Sequence, residues 1–197
     1  MRNHLKVGLV QVYTGNGKGK TTAALGLALR ASGHHFKVLV VQFMKGASYA
    51  GELFAIERLY PDVKIMQFGR GCRNASLIRE GLLECQACGE CFVKAGEERP
   101  EDALAARLAL DTAIGAIQGG EYDIVVMDEI SQAIGHGLVD TPEVLNLIRN
   151  KPRHIEIVLT GRDMPQEILK AADLVTEMRD IAHPFAKGIG ARRGIEY

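Results

Sequence analysis

An open α/β fold in three layers is predicted, with a mostly parallel central sheet of about six strands and helices on both faces. Three features carry the prediction. Short apolar runs rich in β-branched residues alternate with helical patterns along most of the chain. The first run feeds a glycine-rich turn that opens directly onto a helical pattern. Several runs, such as those within Lys37 to Phe43 and Tyr122 to Asp128, are largely apolar without alternation, as strands covered on both faces must be.

In order, a first strand is expected at about 6 to 13, followed by a helix at about 19 to 33 that Gly33 closes. Lys37 to Phe43 reads as a buried parallel strand, completing a β-α-β unit. Met44-Lys45-Gly46 follows its carboxyl end, the edge where ligands of open α/β sheets bind. Lys45 is therefore within reach of a ligand, although a solvated loop lysine is the more ordinary reading. Gly51 to Tyr60 has a helical pattern that Pro61-Asp62 breaks, and Val63 to Phe68 alternates like a third strand. Residues 69 to 98 are dominated by glycine, charge and cysteine, with a short helical stretch at Ala75 to Glu84, and read as an insertion outside the sheet. Helical periodicity returns from Pro100 to Ile117, with Leu104, Leu108, Ala109 and Ala113 assigned to one face, and Gly119-Gly120 stops it. Tyr122 to Asp128 is an apolar strand ending in Asp128-Glu129. Thr141-Pro142-Glu143 starts a helix to Asn150, Ile155 to Thr160 is a strand, Pro165 to Ala172 a short helix, and Leu174 to Met178 a last strand. The tail from Arg179 is glycine-rich and basic. No repeat or linker divides the chain, so one domain is expected over 1–197 with a cysteine-bearing insertion at about 69–98.

The turn Thr14-Gly15-Asn16-Gly17-Lys18-Gly19-Lys20-Thr21-Thr22 has the chemistry of a phosphate cradle. Gly15, Gly17 and Gly19 allow successive backbone N–H groups to face an anion, and the first helical turn adds its own unpaired N–H groups and the positive end of its dipole. Lys20 supplies a point charge to the phosphates, and the Thr21 hydroxyl is placed to help hold Mg²⁺. Asn16, Lys18 and Thr22 complete the expected nucleotide-binding set. The commonest pattern, G-x-x-x-x-G-K-[ST], would put its first glycine at Thr14; Gly15 comes one residue late, so the loop is one residue short.

Composition narrows the partner. Lys+Arg and Asp+Glu balance at 24 each, which implies no broad basic face for nucleic acid and favours a small molecule. Met1 to Lys6 lacks the apolar core of a signal peptide, and no apolar run reaches the roughly 18 residues of a membrane helix, so a soluble cytoplasmic protein is expected. The four cysteines fall between Cys72 and Cys91, and in a reducing compartment such clustering argues for metal or redox chemistry over a disulfide framework.

A strand ending in Asp128-Glu129 after a phosphate loop is the usual second half of a nucleotide site. Asp128 would hold Mg²⁺ or Mn²⁺ directly or through water. Glu129 would orient water in a hydrolase or ligate the ion in another enzyme. Thr160-Gly161-Arg162 ends the next strand on the same edge, so Arg162 is a candidate for bidentate phosphate contact, with a solvated turn arginine the bland alternative.

Four stretches together resemble the corrinoid adenosyltransferases of the cob(I)alamin (cob(I)yrinic acid a,c-diamide) adenosyltransferase type: Tyr13 to Ala24, Asp123 to Ile130, Val158 to Arg162, and Glu177 to Phe185 continuing through Gly194 to Tyr197. The resemblance implies a P-loop fold, a homodimer, and transfer of the 5′-deoxyadenosyl group of ATP to the Co(I) of a reduced corrinoid with release of triphosphate. It also implies a triphosphate bound in the direction opposite to that of ordinary P-loop enzymes, and a protein reductant such as a flavoprotein. That orientation makes chemical sense, because ribose C5′ must meet the nucleophile while loop and metal stabilise the departing triphosphate.

Two departures stand out. Where the family shows Gly-Phe-Thr-Trp over the corrin, this chain has Cys91-Phe92-Val93-Lys94 and no tryptophan, so Phe92 is kept and a second aromatic is missing. The segment Cys72 to Cys91 looks inserted. Cys85-x-x-Cys88-x-x-Cys91 with Cys72 offers four thiolates, enough for tetrahedral Zn²⁺ or an Fe–S cluster, the alternative being ordinary loop cysteines. Beside adenosyl transfer stand two other functions: a P-loop ATPase or phosphotransferase acting at the γ-phosphate, and a non-catalytic ATP-dependent switch with a redox partner.

Overall fold

Six short apolar runs become six strands, and their connections, each carrying a helix or a longer excursion, leave every strand pointing the same way. The computed structural model describes residues 4–46, 48–86 and 88–197. Met1 to Asn3, at the start of the stretch read as lacking a leader, and Ala87 of the cysteine segment lie outside the described residues, as does Ala47. The elements are β1 (Val10–Thr14), α1 (Lys20–Ser32), β2 (Val38–Phe43), α2 (Gly51–Glu57), β3 (Val63–Phe68), α3 (Ala75–Arg79), α4 (Pro100–Gln118), β4 (Ile124–Asp128), α5 (Ile130–Gly135), α6 (Thr141–Arg149), β5 (Glu156–Thr160), α7 (Gln166–Ala171), β6 (Leu174–Glu177) and a 3₁₀ turn at Pro184–Lys187.

The sheet runs β3-β2-β4-β5-β1-β6, and every pairing is parallel. The expectation of a mostly parallel sheet of about six strands is met in full. Parallel strands require crossovers, and the crossovers supply the two outer layers. Along β2 the pleat sends Val38 and Val40 to one face and Leu39 and Val41 to the other. The first face packs α1 and α2, through Ala24, Ala28, Ala31 and Ile56, on Val38, Val40, Val126 and Val158. Alanine stems let α1 lie close to the sheet, which holds its first turn over the strand ends. The second face packs α4 to α7, through Leu110, Ala113, Ile117, Ile130, Val144 and Ile168, on Leu39, Val41, Met127, Ile157 and Leu159.

Three sequence expectations change. The first strand starts at Val10, because Gly8 and Leu9 are held instead by Arg153 O and the Glu156 carboxylate, at 2.8 Å and 2.5 Å. The buried face of α4 is Ala106, Ala109, Leu110, Ala113 and Ile117, while Leu104 and Leu108 are 62% and 49% exposed. At about 100° per residue, Ala109 and Ala113 lie on the side of the helix opposite Leu104, so the expected set never shared a face. Helix α5 was not foreseen, since a six-residue helix following a strand without a glycine or proline leaves little periodic signal.

The α4 correction makes a prediction. Leu110→Ala should lower unfolding free energy by about 2–5 kcal/mol and Leu104→Ala by less than about 0.5 kcal/mol, measured by urea denaturation. Equal losses would return Leu104 to the core.

Candidate active site

Because all strands are parallel, the segments after β1, β2, β4 and β5 leave the sheet along one edge, and there the expected site residues meet. The loop after β1 has positive φ at Gly15 (95°) and Gly19 (106°), which an L side chain adopts only with strain. It also wedges against the backbone after β6: Gly17 N donates to Met178 O at 2.7 Å, Met178 N donates to Thr14 O at 2.8 Å, and a Cβ on Gly15 would overlap the Met178 carbonyl. The last strand thus buttresses the short loop.

Lys20 opens α1 and is 7% exposed. Its ammonium donates to Gly15 O at 2.7 Å and Gly17 O at 2.8 Å, so the loop wraps its own lysine. Burial pulls the Lys20 pKa below the ordinary lysine range, against the opposing pull of Glu129. Lys18 points away to the tail, 3.2 Å from the Glu196 carboxylate, which Arg192 also contacts.

Asp128, the last residue of β4, is fully buried and takes four hydrogen bonds. Thr21 Oγ1 donates to Oδ1 at 2.8 Å, Thr160 Oγ1 to Oδ1 at 2.6 Å, Gln42 Nε2 to Oδ2 at 2.9 Å and Lys45 Nζ to Oδ2 at 2.8 Å. Gln67 donates to Gln42 Oε1 at 2.8 Å and completes the chain. Burial alone would push the carboxyl up, but Lys45 and the two threonine hydroxyls hold it below the usual carboxylate range. The solvated reading of Lys45 is therefore corrected: it is ion-paired and one-third exposed. Gln42 and Gln67 were missed entirely, and Thr160 was read only as the strand end before Arg162. Gln42 had a signal, being a lone polar residue at a position where β2 is otherwise apolar.

Glu129 caps α5 with a left-handed φ of 60° and donates its backbone N–H to Thr160 Oγ1 at 3.0 Å. Burial and then the adjacent Asp128 raise its pKa, while Lys45, Lys20 and Arg162 lower it. Two adjacent carboxylates are thus driven apart, Asp128 ionised and Glu129 readier to take a proton. Arg162 is exposed, close enough to be felt by both Glu129 and Lys20. Its turn is set by Ser131, whose hydroxyl donates to Arg162 O at 2.5 Å, and by Gly161, where a Cβ would overlap that hydroxyl.

The cysteine segment lies apart from this network. The Arg70 guanidinium bonds both Asp102 oxygens, at 2.9 Å and 2.6 Å, and Glu97 O at 2.7 Å, tying the segment to the start of α4. Phe92 is 68% exposed. All four cysteines are free thiols; Cys85 and Cys88 are exposed. Burial, then Cys72, Cys88 and Cys85 nearby, push the Cys91 thiol up, and burial, with Cys85 close by, pushes the Tyr49 hydroxyl up. Among the described residues no group of three or more His, Cys, Asp or Glu side chains is disposed to hold a metal ion. No helix among them is long and apolar enough to cross a membrane.

The family model described as ATP:corrinoid adenosyltransferase BtuR/CobO/CobP matches residues 6–197. A corrinoid adenosyltransferase of Sinorhizobium sp is 36% identical over 191 residues, covering 96% of this chain and 80% of the relative. Corrinoid adenosyltransferases of Pseudomonas aeruginosa and Escherichia coli K12 are each 34% identical, over 96% of this chain and 84% and 86% of their own lengths. Among solved structures, the flagellar accessory protein FlaH of Methanocaldococcus jannaschii shares the fold, with a TM-score of 0.54 at 12% identity over 88% of this chain and 72% of that one.

The Asp128 network sets a pH test. Asp128→Asn should cost roughly 2–4 kcal/mol at pH 7, by leaving Lys45 without its counter-charge and setting an amide donor among donors. The wild-type carboxyl has a depressed pKa, so its contribution is full above the ordinary aspartate range and is lost as pH falls through the folded value. The gap between the two proteins in urea unfolding should therefore begin to narrow below about pH 4 and close only beneath the depressed folded value. A gap that stays constant into acid would mean that Asp128 is not a stabilising charge.

Proposed function

The chain belongs to the ATP:corrinoid adenosyltransferase family, and from that premise we propose how its own residues serve the reaction. The enzyme transfers the 5′-deoxyadenosyl group of ATP to the Co(I) of a reduced corrinoid and releases triphosphate. Co(I) is already a strong nucleophile, so the protein's tasks are to present C5′, hold the triphosphate as it departs and exclude water.

The loop Gly15-Asn16-Gly17-Lys18-Gly19 and the first turn of α1, with Thr22, take the triphosphate on their N–H groups. Lys20 exchanges its carbonyl partners Gly15 and Gly17 for phosphate oxygens. Asp128, Thr21 and Glu129 offer hard oxygen donors that would hold Mg²⁺ or Mn²⁺, and the bound ion would supply positive charge to offset that of the departing triphosphate. Arg162 reaches the same charge from the end of β5, and Phe92 packs on the corrin. The triphosphate lies reversed relative to phosphoryl-transfer enzymes, leaving C5′ open. The observation that carries this reading is the hydrogen bond from Thr21 to Asp128, which joins the phosphate loop and the Asp-Glu strand into one site. An ATPase or phosphotransferase acting at the γ-phosphate, or a non-catalytic switch, is not favoured by the family match.

We read residues 1–197 as one domain with an insertion at 69–98, supported by the pairing of β1 with β6 from opposite ends of the chain. The same reading makes the protein a cytoplasmic homodimer supplied with electrons by a protein reductant such as a flavoprotein; family membership is its support. The four cysteines are read as ligands of Zn²⁺ or an Fe–S cluster. Their support is the C-x-x-C-x-x-C spacing and the mutual influence of the thiols, and metal binding would have to draw the segment closer around a common centre.

Three measurements follow. ATP incubated with pure enzyme, Mg²⁺ and chemically reduced corrinoid should yield triphosphate; ADP would mean phosphoryl chemistry. Lys20→Ala should lower kcat/KM for ATP by about ten- to hundredfold, and wild-type kinetics would remove Lys20 from the site. Elemental analysis of protein purified without oxygen should find zinc or iron near one equivalent, lost in Cys88→Ser; neither metal would leave the cysteines as plain loop residues.

A further inference from the structure

The ion pair between Lys45 and Asp128 occupies Oδ2, one of the two carboxylate oxygens that the proposed function offers to a divalent cation. Each oxygen of this fully buried carboxylate already serves two donors: Oδ1 takes Thr21 and Thr160, and Oδ2 takes Gln42 and Lys45. A cation at Oδ2 must displace one of that oxygen's two donors. Gln42 is buried on a central strand and fixed by Gln67, so it has nowhere to go. Lys45 differs, for its side chain is one-third exposed on a flexible four-carbon stem.

The backbone beneath Lys45 is fixed. Met44 has a left-handed φ of 59°, Gly46 N donates to Arg70 O at 3.0 Å, and a Cβ on Gly46 or Gly69 would overlap the facing backbone. Only the side chain can move. One destination is the charge cluster at the loop, where Glu129 lies within electrostatic reach of Lys45, Lys20 and Arg162 together; Glu52, which also acts on Lys45, is the other. At the loop cluster an ammonium leaving Asp128 would become a third cation facing a triphosphate.

We propose that Lys45 and the divalent cation exclude one another at Asp128 Oδ2, and that the triphosphate relieves the exclusion by drawing Lys45 to itself. Metal and nucleotide then bind as mutually dependent partners, because anything that raises the affinity of one through Lys45 must raise that of the other equally. The device keeps a buried carboxylate compensated at every stage, by ammonium or by metal. It makes Lys45 a positioning residue toward the metal and a direct contact toward the phosphates. This inference rests on Asp128 being the metal-binding carboxylate.

The test is Mn²⁺ binding to the full-length protein without nucleotide, followed by the electron paramagnetic resonance signal of free Mn²⁺. Lys45→Gln keeps a donor for Oδ2 without the charge, and Lys45→Met removes both; thermal melting checks that each folds. Both variants should bind Mn²⁺ at least about tenfold more tightly than wild type, and Mn²⁺ should improve their ATP affinity by a correspondingly smaller factor. Lys45→Arg, which keeps the charge, should stay weak for Mn²⁺ alone. Mn²⁺ affinities equal to wild type in Lys45→Gln and Lys45→Met would overturn the proposal. Adding Asp128→Asn to Lys45→Gln separates the two readings. If the tightened binding survives it, the metal is not on Asp128 and the wider assignment fails; if wild-type metal·ATP binding needs Asp128 while Lys45→Gln changes nothing, only the role of Lys45 fails.

Discussion

A carboxylate with no exposure to water is the constraint around which this molecule is arranged. Leaving Asp128 ionised inside the protein would cost several kcal/mol without compensation. Four donors provide that compensation, from α1, β5, β2 and the segment after β2, so the carboxylate ties together elements far apart in sequence. The strand order serves the same end. With β4 between β2 and β5, Gln42 and Lys45 approach from one side and Thr160 from the other, while α1 brings Thr21 across from the phosphate loop. No described buried side-chain nitrogen or oxygen is left without a partner.

The phosphate loop depends on a second, purely steric arrangement. One residue shorter than the common form, it is pressed on the turn after β6, where Gly15 and Gly17 pass the Met178–Arg179 backbone too closely for any side chain. The backbone after β6 is thereby part of the loop's support. Glu196 extends this by pairing with Lys18, so the tail touches the loop twice. A loop held this way suits an enzyme that must grip a whole triphosphate as a leaving group, since the grip and not the terminal phosphorus is what chemistry requires.

Much of this was legible in the residues. The strand-loop-helix signature located β1, the glycine turn and α1, and apolar runs located β2, β4 and β5 closely, because strands buried on both faces need nearly uninterrupted apolar sequence; β3 was legible from its alternation. Asp128 was legible as a strand-end carboxylate in context. Its partners Gln42 and Thr160 were not, since only the sheet order brings them beside it. Lys45 read as a loop lysine because nothing local shows that Asp128 ends the strand adjacent to β2. The face of α4 was misread through weighting leucines above alanines, although small residues are what a helix lying close on a sheet buries. The cysteine segment shows the limit most plainly: its spacing is a strong pattern, yet the thiols are free and not gathered round a metal position.

The central claim is that the phosphate loop and the Asp-Glu strand act as one site through Thr21 and Asp128. A double-mutant cycle on Mg²⁺·ATP binding, measured calorimetrically with wild type, Thr21→Val, Asp128→Asn and the double variant, addresses it directly. The two losses should overlap, with a coupling of at least about 1 kcal/mol, because either change breaks the same joint. Strictly additive losses would mean that the two halves bind independently, and that the hydrogen bond between them is packing without function.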